Sequence, residues 1–210
     1  MVKALFPEFC ISCQREGAPL CRLCELSWMP DPSLERFATT SGSVRGVFSL
    51  SPYPDPVVKG LLRQWKYWGQ KSSGEMLCRL VVDTLEAYKG ALPTVEVVTY
   101  VPLHTRRLNY RGFDQAEMLA QTVAEVIHRP MSTLLKRTRF TEPQAKQARS
   151  ARTEDEFKRA FEVSLLDATP PASVLLIDDV WTTGSTMRAA SRVLRSAGVQ
   201  EVWGFTCARG

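Results

Sequence analysis

The chain has 210 residues, of which 44% are hydrophobic and 23% are charged, a composition typical of folded globular proteins. Its formal net charge of +5 favours phosphate-bearing ligands or nucleic acid over basic partners. No apolar run approaches the roughly 20 residues of a membrane helix, and the N-terminal residues lack the apolar core of a secretory signal. We therefore expect a cytoplasmic protein without membrane insertion, built from a small module (residues 1–30) and one larger domain (residues 31–210).

The small module is marked by two C-x-x-C pairs that are separated by seven residues. Four thiolates at this spacing match a tetrahedral structural Zn²⁺ site with no position left open for catalysis. Two disulfides are the alternative, which a reducing cytoplasm disfavours. Because the module is too short for a core of its own, we predict that Zn²⁺ folds it as a zinc-ribbon-like knuckle. The predicted ligands are Cys10, Cys13, Cys21 and Cys24.

Residues 44–90 are predicted to form one strand followed by two helices. The run 44–53 has the apolar content and the Ser-Pro stop of a strand. A helix is predicted over residues 55–68, since Asp55 can cap it and Pro56 suits its first turn. Apolar residues at helical spacing predict a second helix over residues 72–88.

The first of these helices carries basic residues interleaved with tryptophans, a pattern found in proteins that bind single-stranded nucleic acid. Trp65 lies on the apolar stripe of the helix, so packing in the core explains this residue equally well. The candidate nucleic-acid contacts are Lys59, Arg63, Trp65, Lys66, Trp68 and Lys71.

Residues 91–210 alternate between apolar strands and amphipathic helices. Strands are predicted over residues 95–101, 174–177 and 199–207. Helices are predicted to begin near Gly112 and, after residue 177, to run to Ala197 with Gly198 as the stop. This alternation predicts an α/β fold with a parallel sheet flanked by helices.

Two adjacent carboxylates, Asp178 and Asp179, directly follow the predicted strand 174–177, at the sheet edge where open α/β folds bind ligands. The residues after them open a helix and offer hydroxyl and backbone N–H groups to an anion. Carboxylates and an anion site are compatible if the ligand carries both hydroxyls and a phosphate, as a ribose 5-phosphate does. For one Asp alone, a capping role in a tight turn is the alternative. The residues assigned to the 5′ phosphate are Thr182, Thr183, Gly184, Ser185 and Thr186.

A second anion site is predicted after strand 95–101, where arginines surround a strand-to-helix junction. Guanidinium groups and helix N–H groups can bind a diphosphate together, which would complete a site for phosphoribosyl diphosphate (PRPP). A solvated loop with scattered arginines is the alternative. The candidates are Arg106, Arg107 and Arg111.

The string DDVWTTGST at residues 178–186 resembles the signature of type I phosphoribosyltransferases. The two C-x-x-C pairs, the block PLHTRRLNYRGFDQAEMLA at residues 102–120 and a downstream Pro-Gln narrow this resemblance. Together they resemble the ComF family, a phosphoribosyltransferase-like group associated with bacterial DNA uptake. The family motifs fall on His104, Arg106, Arg111, Gly112, Phe113, Gln115, Pro143 and Gln144.

The resemblance implies a type I phosphoribosyltransferase fold, with residues 44–90 as a hood and residues 91–210 as the PRPP-binding core. It implies PRPP as ligand, Mg²⁺ held mainly by PRPP oxygens, catalytic roles for Asp178 and Asp179, and His104 beside the diphosphate arginines. It also implies action on imported single-stranded DNA in natural transformation, at the inner face of the cytoplasmic membrane. Competence helicase and recombination-loading proteins are the implied partners. A non-catalytic adaptor that binds single-stranded DNA and retains the fold is the alternative.

The sequence departs from the type I phosphoribosyltransferase signature at Trp181, from its purine-salvage members at Thr182, and from the ComF pattern before Ala160. Trp181 replaces an aliphatic residue, and Thr182 stands where purine-salvage enzymes have a carboxylate that assists deprotonation of the base. The family Asn before Ala160 is absent from the string DEFKRAF at residues 155–161, so a role resting on it is unsupported. The polar stretch 136–159 is expected to form a mobile lid over PRPP, with a solvated loop as the alternative. The absence of an N-terminal nucleophilic Cys argues against a glutamine amidotransferase.

Overall fold

The computed structural model describes residues 7–37, 44–88, 90–139, 160–164 and 169–210. The strands in these ranges are β1 (Ser33–Arg36), β2 (Gly46–Pro52), β3 (Val97–Tyr100), β4 (Leu135–Arg137), β5 (Phe161–Val163), β6 (Ser173–Trp181) and β7 (Glu201–Arg209). The helices are α1 (Arg22–Ser27), α2 (Pro56–Trp68), α3 (Lys71–Ala87), α4 (Thr105–Arg111), α5 (Gln115–Val126) and α6 (Ser185–Ser196).

Five of these strands form one sheet in the order β1-β2-β7-β6-β3. The strands β2, β7, β6 and β3 are parallel to their neighbours, whereas β1 joins the edge antiparallel to β2. The strands β4 and β5 form a separate antiparallel pair. The predicted parallel sheet is therefore confirmed, with one antiparallel edge strand that the sequence pattern did not predict.

Two apolar cores cover the two faces of this sheet. Leu175 and Ile177 of β6 pack with residues of α2, α3 and α5, whereas Val174 and Leu176 pack with residues of α6 and of the β4–β5 pair. All four side chains are fully buried, as expected for a strand covered on both faces. The prediction of helices on both sides of the sheet is confirmed.

Helix α2 forms where the sequence predicts it. The Asp55 carboxylate accepts hydrogen bonds from the backbone N–H groups of Val57 and Val58, both at 2.9 Å, and so satisfies donors that have no partner within the helix. The helix ends at Gly69, which has a left-handed φ of 65°. Its apolar stripe packs into the core that also contains residues of α3 and α5.

The structure differs from the predicted elements at two places near the sheet edge. Strand β6 does not end at Ile177 but continues to Trp181, with Asp178 paired to Thr206 of β7. Residues 105–111, predicted to lie at a strand-to-helix junction before a helix that begins near Gly112, form helix α4, and α5 begins at Gln115. No residue of α4 is buried, so it has no apolar periodicity from which a helix could be predicted.

Within the described ranges, no helix combines the length and the apolar content needed to cross a bilayer. The predicted lid falls outside these ranges except for residues 136–139, and so do residues 143–144 and 155–159 of the family pattern. The boundaries at residues 30 and 90 stay predictions.

Candidate functional site

The carboxyl end of β3 lies beside Ile177 of β6, directly before the two aspartates, because Tyr100 is paired in register with Ile177. The backbone N–H of Val101 extends this pairing by donating to the Ile177 carbonyl at 2.9 Å. The segment after β3 and the two aspartates of β6 therefore share one edge of the sheet, which we call the carboxylate edge. Two segments far apart in the sequence, each predicted to bind an anion, are thus brought together.

The two aspartates at the carboxylate edge have different partners. The backbone N–H of Asp179 donates to Oδ1 of Asp178 at 2.9 Å, whereas the Asp179 carboxylate forms an ion pair with Lys66 of α2. Burial and the neighbouring Asp179 raise the pKa of Asp178 to about 7, although Lys66 and Arg137 act in the opposite direction. An ion-paired carboxylate therefore lies beside one that titrates near neutral pH, so the pair can accept hydrogen bonds and, when protonated, donate one.

The loop between β6 and α6 is built on Gly184, which precedes the helix with a left-handed φ of 71°. A Cβ at this position would lie 2.3 Å from the ring of Trp181, so glycine is required for both conformation and space. The buried Trp181 also stacks on Phe37, with ring centroids 5.6 Å apart. Trp181, which departs from the type I phosphoribosyltransferase signature, therefore packs directly against the loop at Gly184.

Hydroxyl groups line the outer side of this loop. The side-chain oxygens of Thr183 and Ser185 are 3.0 Å apart, and the Ser185 backbone N–H donates to Thr183 Oγ1 at 3.4 Å. Arg188, which the sequence analysis did not single out, donates to the Thr183 carbonyl and lies over the Trp181 ring at 5.0 Å. Thr182 and Thr183 are exposed. Hydroxyls, helix N–H groups and a guanidinium in one small loop are suited to binding a phosphate.

The segment after β3 begins with His104, whose Nδ1 accepts the Arg106 backbone N–H at 3.2 Å and so caps α4. Burial lowers the pKa of His104, and the charges of the surrounding arginines lower it further. Burial and Arg111 also lower the pKa of Arg107, whereas Asp179 opposes that shift. Arg107 therefore lies within electrostatic reach of the carboxylates, while Arg106 is exposed and Arg111 donates to Gln115.

Two further residues of this edge were missed by the sequence analysis. Arg137 of β4 has a pKa lowered by burial and by Arg107, and Asp178 acts against this shift; its guanidinium lies 5.3 Å from the centroid of the Phe161 ring. Asp114 accepts hydrogen bonds from the backbone N–H groups of Leu103 at 2.7 Å and Ala116 at 3.0 Å. Asp114 was visible as a capping residue after Gly112, but no local pattern marks Arg137.

Two of the predicted nucleic-acid contacts on α2 face inward. Trp65 is fully buried and stacks on Phe113 with centroids 5.8 Å apart, so this assignment is wrong and the alternative of core packing holds. Lys66 is turned toward Asp179 and belongs to the carboxylate edge rather than to the outer surface of the helix. The other candidates are exposed: Lys59, Arg63, Trp68 and Lys71.

The four N-terminal cysteines form a cluster, the cysteine knuckle, in which all four Sγ atoms lie within 4.8 Å of one another. Sγ of Cys13 and Sγ of Cys21 are 3.6 Å apart, and the Cys21 backbone N–H points at Sγ of Cys10 at 3.4 Å. Tetrahedral ligands at a Zn–S distance of about 2.3 Å would be separated by about 3.8 Å. The cluster therefore has the composition and the spacing to hold a metal ion.

The cysteine knuckle packs directly on α2. A Cβ added at Gly60 of α2 would lie 3.0 Å from the Ile11 side chain, and Trp28 donates its indole N–H to the Asp55 carboxylate at 3.0 Å. Between knuckle and helix lies a cavity of about 810 Å³ whose lining includes Phe9 and Trp68. These two aromatic side chains are 47% and 67% exposed.

Comparison with known proteins identifies the relatives of this chain. The family model described as Phosphoribosyl transferase domain matches residues 114–207. Competence protein F of Haemophilus influenzae is 32% identical over 146 residues, which are 68% of this chain and 62% of that protein. DNA utilization protein YhgH of Salmonella typhi is 28% identical over 200 residues, which are 92% of this chain and 86% of that protein.

Among solved structures, glutamine PRPP amidotransferase from B. subtilis aligns with a TM-score of 0.44 and 20% identity, over 69% of this chain and 30% of that chain. The family match covers α5, β6, α6 and most of β7, and the relatives extend the similarity beyond this range. The chain has the type I phosphoribosyltransferase fold and belongs to the ComF family.

Proposed function

We propose that this chain binds PRPP at the carboxylate edge and acts as a phosphoribosyltransferase in the use of imported DNA. The observation that carries the proposal is the meeting of three chemistries at one edge: a carboxylate pair, a hydroxyl-lined loop and a cluster of cations. A ligand with vicinal hydroxyls, a phosphate and a diphosphate matches all three. The competence and DNA-utilization names of the relatives support the biological setting.

In this proposal each part of PRPP has its own residues. Asp178 and Asp179 accept hydrogen bonds from the ribose hydroxyls, and the loop 182–186 binds the 5′ phosphate. The proposed diphosphate residues are His104, Arg106, Arg107 and Arg111. We add Arg137 to them because it lies within electrostatic reach of Arg107 and Asp178. The carboxylate oxygens also suit Mg²⁺, a hard cation that keeps several waters, and the bound ion would neutralise charge on the diphosphate. An acceptor would then displace diphosphate from C1, helped by positioning and charge.

Zn²⁺ is the metal that we propose for the cysteine knuckle. Four thiolates are the donor set of closed structural zinc sites, which leave no open position for a substrate. Because Cys10 packs in the same core as residues of α2, the ion would stabilise the surface on which α2 rests as well as the knuckle itself.

Single-stranded DNA is the proposed macromolecular partner, and the cavity between the cysteine knuckle and α2 favours it. Exposed Phe9 and Trp68 offer faces for base stacking, and Arg63 in the same lining offers charge to the backbone. This observation also supports the alternative function of a non-catalytic DNA-binding adaptor. In either role the competence helicase and recombination-loading proteins would be partners.

Titration calorimetry with PRPP and Mg²⁺ tests the proposed ligand. Wild type is expected to bind PRPP, and the double variant Asp178→Asn/Asp179→Asn to lose most of this affinity. Asp83→Asn, an exposed substitution on α3, is the control and should bind as wild type does. Weak or absent binding that is the same in all three proteins would refute the proposal.

Release of diphosphate separates the enzyme from the adaptor. If the chain is a phosphoribosyltransferase, diphosphate should accumulate when PRPP and Mg²⁺ are supplied with single-stranded DNA or with free bases. Binding of PRPP without diphosphate release for any of these acceptors would favour the adaptor.

A further inference from the structure

Lys66 lies at the carboxylate edge, although its position in the sequence does not mark it as a residue of this site. It lies on α2, outside the residues 114–207 that match the phosphoribosyl transferase family model. Its neighbour Trp65 is fully buried and Tyr67 is 69% exposed, so Lys66 lies on the flank of the helix between core and solvent. From there its ammonium reaches the carboxylate of Asp179.

The ion pair between Lys66 and Asp179 is shielded from water. The side chains are 20% and 18% exposed, so the pair loses much of its hydration and is less screened by salt than a surface pair. The ammonium approaches Oδ2 of Asp179, which leaves the lone pairs of Oδ1 on the same carboxylate for a hydroxyl of a ligand. Ligand binding at Asp179 therefore does not require Lys66 to leave.

The position of Asp179 defines how far Lys66 is from a bound ribose. A hydroxyl oxygen that donates to this carboxylate would lie within about 5 to 7 Å of the Lys66 Nζ, because the hydrogen bond and the ion pair are each about 2.8 Å long. In PRPP the diphosphate is attached to C1, next to the carbon that carries the 2′ hydroxyl. An ammonium on a flexible four-carbon stem can reach a phosphate oxygen from that distance.

The charges at the edge show why such a cation is needed. Burial and, after it, the charge of Asp179 raise the pKa of Asp178, and carboxylate charge at this edge would repel an incoming diphosphate. Arg107 and Arg137 supply positive charge from α4 and β4. Lys66 supplies positive charge from α2, in direct contact with the Asp179 carboxylate. It therefore neutralises Asp179 and leaves space for the ligand.

We propose that Lys66 is a diphosphate-binding residue of the PRPP site, paired with Asp179 in the free protein and shared with the diphosphate of PRPP in the complex. This inference rests on the proposed function. It makes α2, which carries the exposed Trp68 beside the cysteine knuckle, a part of the PRPP site. A role for Lys66 as a purely structural counter-ion of Asp179 is the competing account.

Three ligands distinguish these accounts: PRPP, inorganic diphosphate and ribose 5-phosphate, each titrated by calorimetry at one Mg²⁺ concentration. Lys66→Met removes the charge and keeps most of the stem. It is expected to weaken PRPP and diphosphate binding by about 10-fold or more, the usual effect of losing a hydrogen bond to a charged group. Ribose 5-phosphate binding should change by less than about 3-fold, because that ligand has no diphosphate.

Two further variants test whether the effect of Lys66→Met comes from the lost charge or from a folding defect. Lys66→Gln keeps a hydrogen-bond donor for Asp179 and should show the same ligand dependence as Lys66→Met. Arg195→Met removes an exposed cation in the last turn of α6 and should leave all three affinities unchanged. The unfolding free energy of each variant identifies any protein that is not folded.

The outcomes separate this inference from the proposed function. Equal losses for ribose 5-phosphate and diphosphate would show a structural counter-ion and overturn the inference, and so would wild-type affinities in both Lys66 variants. In those cases PRPP binding by wild type would leave the proposed function intact. Failure of wild type to bind PRPP would overturn both.

Discussion

The cysteine knuckle and the carboxylate edge each bring groups of like charge together, but the repulsion is balanced in different ways. In the knuckle four sulfur atoms from a single fifteen-residue segment lie within 4.8 Å of one another, and thiolates at this distance need a bound cation. At the carboxylate edge the cations are part of the chain: Lys66, Arg107 and Arg137 come from three different elements. We infer that the knuckle depends on a metal for its fold, whereas the edge folds in a state ready for its ligand.

Helix α2 connects these two regions. The knuckle packs on its first half through Ile11 and Trp28, and Lys66 near its end pairs with Asp179. A structural change in the cysteine knuckle should therefore move α2, and with it Lys66 at the carboxylate edge. The predictions below separate the contributions of the two regions.

The largest effect is expected when a metal ligand is removed. Cys13→Ser should abolish stoichiometric zinc binding and destabilise the protein, because structural Zn²⁺ contributes about 10 kcal/mol or more of binding free energy in zinc-finger peptides. Cys78→Ser, in a partly buried thiol of α3, should keep one zinc per chain. Elemental analysis of both purified variants measures this, and a full complement of zinc in Cys13→Ser would refute the assignment.

A smaller effect is expected from alanine in the loop of the carboxylate edge. Gly184 and Gly112 both have a left-handed φ, 71° and 80°, but only at Gly184 would a Cβ meet another residue, the ring of Trp181. Gly112→Ala should cost about 1 kcal/mol for the conformation. Gly184→Ala should cost about 3 kcal/mol, since the clash adds to that cost. Denaturant unfolding of both variants gives the comparison, and equal losses would contradict the role of Trp181.

The exposed side chains of Phe9 and Trp68 beside the cysteine knuckle are expected to contribute to DNA binding but not to PRPP binding. Trp68→Ala should weaken binding of single-stranded DNA about 10-fold, since stacking of one base contributes roughly 1 to 3 kcal/mol. Tyr88→Ala, at the end of α3 with 44% exposure, should bind as wild type does. Fluorescence anisotropy at one salt concentration is the measurement, because salt alone changes such affinities. The surface is not the DNA site if both variants keep wild-type affinity.

The last effect is expected in the pH dependence of stability, and it is spread over several pH units. The folded protein holds a proton on Asp178, with a pKa of about 7, that an unfolded Asp releases near pH 4. Stability should therefore fall as the pH rises from about 4 to about 7, and Asp114, with a pKa raised by burial to about 6, contributes in the same direction. Asp178→Asn should flatten this slope by at most about 1.4 kcal/mol per pH unit.

Asp83→Asn provides the reference for that slope. Its exposed carboxylate on α3 should leave the pH dependence of the unfolding free energy unchanged. A slope that is the same in wild type and in Asp178→Asn would show that Asp178 is not the group that holds the proton.

The predictions from the sequence were most accurate for features formed by residues that are adjacent in the chain. Over residues 174–197 the structure has the predicted strand, hydroxyl-bearing loop and helix, with the two aspartates inside the strand rather than after it. Helix α4 could not be predicted because it buries none of its residues. Lys66 and Arg137 could not be assigned to this edge because only tertiary packing brings Lys66 to Asp179 and Arg137 within electrostatic reach of Asp178. The burial of Trp65, in contrast, could be read from its place on the apolar stripe of α2, which was better evidence than the basic residues beside it.

A crystal structure of the protein with PRPP and Mg²⁺ tests the central claim most directly. The account predicts ribose hydroxyls within hydrogen-bond distance of Asp178 and Asp179, the 5′ phosphate at the amino end of α6, and the diphosphate facing Arg107. PRPP bound elsewhere, or bound with no ribose oxygen near either carboxylate, would contradict it.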